Sequence, residues 1–117
     1  MSRVVHFEIP ASDPERTMKF FGEAFGWQFT KFGDNDYWMC KTGDPSAAGI
    51  NGGIMRKHDP GQPMTNVISV ASLDDALLAI ENAGGTVVVP KFEIPTVGWL
   101  AYFKDPEENI FGVAQFG

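Results

Sequence analysis

The sequence has a single cysteine, Cys40, and only two histidines among its 117 residues. One thiol excludes an intramolecular disulfide and any cluster of cysteine ligands, and it fits a reducing compartment. Positive charge is scarce as well: nine Lys and Arg stand against fifteen Asp and Glu, for a net charge of −6. Nucleic-acid binding rests on a basic footprint, and Arg56-Lys57-His58 is too small a patch to supply one. Long apolar runs are also missing. The longest, Val97 to Phe103 with Gly98 inside it, falls far short of a membrane span. The N-terminal Met-Ser-Arg-Val-Val-His carries no apolar h-region. The expectation is a cytoplasmic protein with neither nucleic acid nor membrane as a partner.

Core material, by contrast, is plentiful. Hydrophobic residues make up 44% of the chain and include ten Phe and three Trp, enough for one domain of this length to fold without staples. A single domain over residues 1–117 is expected.

Local signals then divide the chain. Val4 to Ile9 alternates, with Val5, Phe7 and Ile9 on one face and His6 and Glu8 on the other, which predicts a half-buried strand. Ser12 or Asp13 can cap a helix that has Pro14 at its first position and Glu15 near the positive end of its dipole. Met18, Phe21 and Phe25 form its apolar stripe, and Gly26 stops it. Strands are expected over Trp27 to Phe32, Tyr37 to Lys41 and Gly49 to Arg56. A polar stretch, residues 57–64, reads as a linker. The pattern then starts again: a strand from Thr65 to Val70, and a helix capped by Ser72 and ended by Gly84-Gly85. Leu73, Ala76, Leu77, Ile80 and Ala83 are its stripe. Strands over Thr86 to Pro90, Val97 to Lys104 and Asn109 to Phe116 close the chain, the last after the turn Asp105-Pro106-Glu107-Glu108.

The order is βαβββ twice, with module one at about 1–56 and module two at about 65–117. One shift of 59 residues places Asp13 on Ser72, Phe21 on Ile80, Gly26 on Gly85 and Gly53 on Gly112. A single register joining helix start, stripe, stop and final strand points to duplication.

Both helix stripes need an apolar face to cover, and Val5/Phe7/Ile9, Ile50/Ile54, Ile68/Val70 and Phe111/Val113 supply it. A side-chain period of two then assigns His6, Glu8, Asn51, Gly53, Met55, Thr65, Val67, Ser69, Ile110, Gly112 and Ala114 to the opposite face. That mixture suits either a ligand cavity with polar anchors or a solvated sheet surface. His6 and Glu8 lie two residues apart on one strand, so both side chains can touch one ligand. They read either as an acid/base pair or as a hydrogen-bonded anchor. In a low-dielectric site the Glu8 carboxyl is expected to rise in pKa and His6 to be held as a cation. Cys40, in the apolar strand Tyr37-Trp38-Met39-Cys40, reads as packing. Trp38, Trp99 and Tyr102 are candidates for cavity walls or for ordinary sheet packing. No phosphate loop or nucleophile elbow is present.

The tandem βαβββ order, the opening strand with His6 followed by Asp13-Pro14-Glu15-Arg16-Thr17-Met18-Lys19-Phe20-Phe21, and the closing Asp105-Pro106-Glu107-Glu108-Asn109 turn resemble the vicinal oxygen chelate superfamily. Glyoxalase I, bleomycin resistance proteins and extradiol dioxygenases are members. The resemblance implies an α+β fold whose two modules form a cupped mixed sheet with the helices on its convex side. It also implies that a metal, where one is bound, sits on the cup floor between four strand positions. Those positions fall here on His6, on Thr65 or Asn66, and on Gly53 and Gly112. Glycine donates nothing and a neutral hydroxyl or amide adds little, so neither metal nor cofactor is expected. The implied function is metal-free small-molecule binding, with His6, Glu8, Asn51, Met55, Ser69, Trp38, Trp99 and Tyr102 as contacts. The alternative is a glyoxalase-type lyase or isomerase using His6 and Glu8. The cup of such proteins is completed within one chain or across a domain-swapped pair, and a homodimer is the expected assembly.

Overall fold

The computed structural model describes residues 2–117. The chain is α+β and divides into two compact units, one spanning His6–Met64 and one spanning Thr65–Gly117 together with residues 3–5. The first unit holds β1 (Arg3–Ala11) from His6 onward, α1 (Pro14–Phe25), β2 (Gln28–Lys31), β3 (Tyr37–Lys41) and β4 (Asn51–Arg56). The second holds β5 (Thr65–Ser69), α2 (Leu73–Asn82), β6 (Thr86–Ile94), β7 (Gly98–Lys104) and β8 (Ile110–Phe116). Strand order is β2-β3-β4-β1 in the first and β6-β7-β8-β5 in the second. In each unit the first strand runs parallel to the last and the other pairs are antiparallel. The two units therefore repeat one topology, with Gly53 and Gly112 inside their final strands. No helix among the described residues is long and apolar enough to cross a membrane.

Both helices start where a side chain satisfies an orphan amide. Asp13 accepts from the Arg16 amide at 3.2 Å, and Ser72 accepts from the Asp75 amide at 3.2 Å. Gly26 ends α1 in the left-handed region at φ 76°, a conformation that costs glycine little.

In the first unit the core consists of Ile9, Ala11 and Ile54, with Phe7, Met18, Phe21, Trp27 and Phe29 packed around it. Phe7, Ile9 and Ala11 of β1 thus share the face that packs with α1, as alternation predicts. Gly52 lies beneath Phe7, and a Cβ there would stand 2.5 Å from the Phe7 ring and its carbonyl oxygen. Phe25 departs from its expected place in the stripe. It is 65% exposed, with its ring stacked on Phe21 at 6.2 Å and tilted against Trp27 at 6.1 Å. It lies in the last turn of α1, beyond the reach of the strands beneath.

In the second unit Leu73, Ala101 and Val113 pack with Val70, Ala76, Leu77, Ile80 and Phe103. Ala83 is exposed because it caps α2 rather than extending its stripe. Strand β6 runs four residues past its expected end at Pro90. As the edge strand it tolerates a residue without an amide, and its pairing with β7 shifts register between Val89 and Phe92 around that proline.

Candidate functional site

Strand pairing decides which side chains share a face. In the first unit His6 pairs with Asn51 and Glu8 with Gly53, while Tyr37 pairs with Met55 and Met39 with Gly53. His6, Glu8, Asn51 and Met55 therefore lie on the face away from α1, joined there by Tyr37 and Met39. Trp38 does not. It pairs with Ile54 on the helix side, and the Lys31 ammonium sits 5.8 Å from its ring centre. In the second unit Ser69 and Tyr102 share a face through their pairing with Ala114 and Gly112. That face has an apolar cluster of its own, in which Val67, Leu100 and Ala114 are buried and Ile94 and Tyr102 pack against them. Trp99 has the register of Ala101 and so lies on the α2 side, with the Lys91 ammonium 5.0 Å from its ring centre.

The polar centre of the first unit is a three-residue relay. Tyr37 Oη lies 2.6 Å from His6 Nε2 and donates to Glu8 Oε2 at 3.2 Å. A phenol has one proton to give. With that proton directed to the carboxylate, the oxygen accepts from the imidazole, which assigns the proton on His6 to Nε2. His6 Nδ1 is then a bare acceptor and has no protein partner among the described residues. Glu8 is buried, only 6% exposed.

Burial lowers the His6 pKa, and the Glu8 charge opposes that shift without reversing it. The expectation of a His6 cation is corrected here: removing the ring from water outweighs the attraction of one carboxylate. Burial also pushes the Tyr37 phenol far up, and the charge and hydrogen bond of Glu8 push it the same way. The phenol therefore holds its proton at any physiological pH. Cys40, on the α1 side and 1% exposed, is pushed up by burial to about 11, consistent with inert packing.

Tyr37 is the functional residue that strand alternation around His6 did not reveal. Its position depends on Gly53: a Cβ at Gly53 would fall on the Tyr37 hydroxyl and ring. The glycine thus leaves the space that the phenol crosses to reach β1 from β3. The same observation bears on a metal. At Gly53, one of the four strand positions that the resemblance names for a metal, the Tyr37 hydroxyl fills the space, and His6 and Glu8 both hydrogen-bond to that hydroxyl. Among the described residues no group of three or more His, Cys, Asp or Glu side chains could hold an ion. The donor set does not fit a divalent cation, which needs about three protein ligands in a catalytic site.

Asn51, beside His6, is held as firmly. Its Oδ1 accepts from the Thr42 amide at 2.9 Å, while the Thr42 hydroxyl donates to the Ile50 carbonyl at 2.6 Å.

Comparison with known proteins bears on both fold and family. Residues 3–43 match the Bleomycin resistance protein-like N-terminal family. No curated protein matches the chain. Among solved structures, a methylmalonyl-CoA epimerase variant from Streptomyces coelicolor, in complex with 2-nitronate-propionyl-CoA, superposes with a TM-score of 0.73 at 13% identity, covering 98% of this chain and 97% of that one. Methylmalonyl-CoA epimerase from Mycobacterium tuberculosis gives 0.69 at 11% identity, over 97% of this chain and 87% of its own. A glyoxalase/bleomycin resistance protein/dioxygenase superfamily member from Vibrio splendidus 12B01 gives 0.69 at 13%, over 98% and 99%. At these identities the likeness is one of fold.

Proposed function

Because the chain has the fold of the vicinal oxygen chelate (glyoxalase/bleomycin resistance/dioxygenase) superfamily and matches the bleomycin resistance protein-like N-terminal family over residues 3–43, we propose that it is a metal-free small-molecule-binding protein. The ligand rests on the face of the first unit that carries His6, Glu8, Tyr37, Asn51 and Met55. The observation that carries this reading is the Tyr37 hydroxyl above Gly53. It ties His6 and Glu8 into a protein relay instead of leaving them for an ion. Such a relay, beside Met39 and Met55, is a polar anchor within an apolar surface, the usual composition of a ligand site.

The second reading, a glyoxalase-type lyase or isomerase, draws on the same imidazole. A neutral His6 with a bare Nδ1 is a base, and Glu8 reaches it through Tyr37. We extend the first reading to a single-domain cytoplasmic homodimer. Native mass spectrometry of protein purified from its source tests bound ligand, metal and subunit number together. The expected spectrum contains two chains and a non-covalent organic mass, without a divalent metal. One zinc, nickel, iron or manganese per chain, removed by chelator with loss of turnover, would overturn the metal-free reading.

A further inference from the structure

Two neighbouring side chains on this face have their hydrogen-bonding sense fixed by the protein. His6 Nε2 is committed to Tyr37, whose own proton goes to Glu8, so His6 presents Nδ1 as an acceptor. Asn51 is committed in the opposite sense. The Thr42 amide can only donate, so the Asn51 oxygen must face Thr42, and Nδ2 is turned away from it. Among the described residues Nδ2 has no protein partner, and Asn51 is exposed. His6 and Asn51 are directly paired across the parallel β1–β4 ladder, where strands lie about 4.8 Å apart. One acceptor and one donor thus stand side by side on one sheet face, each with its partner groups already chosen.

From this juxtaposition we infer that the ligand carries an amide edge, a carboxamide or lactam whose N–H donates to His6 Nδ1 and whose carbonyl accepts from Asn51 Nδ2. This rests on the small-molecule reading above and adds the chemical class. A carboxylate offers two acceptors and leaves Nδ1 facing a lone pair. A tertiary amide offers a carbonyl and no donor. Both mismatches leave one fixed group without a partner, and a site built from fixed polar groups discriminates strongly against that. Met39 and Met55 on the same face supply adaptable apolar contact for the remainder of the ligand.

The test uses the whole chain and three matched probes: benzamide, N,N-dimethylbenzamide and benzoate. Each is titrated up to about 10 mM while the side-chain nitrogens of His6 and Asn51 are followed by 15N NMR. Benzamide is expected to shift both nitrogens and to bind at least about tenfold more tightly than the other two. Asn51→Asp keeps an oxygen for the Thr42 amide but replaces the donor with an acceptor, and it is expected to abolish the preference for benzamide. Asn51→Gln, with the same amide on a longer stem, controls for the added charge and should retain part of it. Equal binding of benzamide and its dimethyl form overturns the amide assignment and leaves the small-molecule reading standing. So does a preference that survives Asn51→Asp. Failure of all three probes to shift either nitrogen overturns the assignment as well, and an organic mass still present in the native spectrum then keeps the broader reading.

Discussion

Replacing Phe7 by alanine is expected to cost about 3 kcal/mol of stability, whereas His6→Ala should cost about 1 kcal/mol or less. The two residues are adjacent on β1 and point to opposite faces. Phe7 packs on the Ile9, Ala11 and Ile54 cluster and on the Trp27 ring at 5.8 Å. Truncating it removes a large apolar surface and leaves a cavity above Gly52, which has no side chain to fill it. Truncating His6 removes one donor to Tyr37, whose hydroxyl can still donate to Glu8. Ligand binding should respond in the reverse order, with His6→Ala losing it and Phe7→Ala keeping it in the folded fraction. Urea melts of the two variants decide the matter, and a larger loss for His6→Ala would mean that the strand is inside out.

Gly53→Ala carries the second large effect. The added methyl group falls on the Tyr37 hydroxyl and ring. Because the obstacle is the far end of a side chain rather than backbone, the phenol swings away and the chain still folds. Glu8 loses its phenol donor and His6 loses the oxygen that fixes its tautomer. A lost hydrogen bond to a buried charged group is worth about 2 kcal/mol, and stability should fall by that order. The more telling change is spectroscopic. The Tyr37 phenol, released from burial and from Glu8, should titrate near the range of a solvated tyrosine, about 10. A Gly53→Ala protein whose Tyr37 stays resistant to alkaline titration would show that the glycine is not what admits the phenol.

Much of the fold was legible in the sequence because its signals are local. Asp13, Pro14, Gly26 and Ser72 each act on backbone groups within a few residues of themselves, so helix ends follow from composition. The 59-residue register reached further, since a duplicated topology repeats its caps and its final-strand glycine. The extension of β6 past Pro90 was not legible, because a proline there is tolerated only at an edge, and edge position is a property of the assembled sheet. The exposure of Phe25 was hidden for a similar reason: helical spacing marks a stripe without marking where the strands beneath it end.

At the site, alternation alone put His6 and Glu8 on the face opposite Phe7. Tyr37 was missed because nothing near it in sequence marks it. The available signal was long-range, a glycine in one strand diagonal to a large aromatic two register positions along the next, which leaves room for the ring to lie over the glycine. Trp38 and Trp99 were grouped with the site by residue type, yet the register of each places it on a helix side. The charge state of His6 was expected from its neighbour alone, while burial is the larger influence.

The relay is the centre of the account, and long-range 1H–15N correlation of the His6 ring, followed from about pH 8 to about pH 5, tests it most directly. The folded His6 is predicted to be neutral with its proton on Nε2 and to protonate below the value near 6.5 of a solvated imidazole. The sign for stability follows. The unfolded chain binds the proton more readily than the folded one, so this group destabilises the fold progressively as pH drops through about 6.5. A proton found on Nδ1, or an imidazolium persisting above pH 7, would contradict the relay and the ligand chemistry built on it.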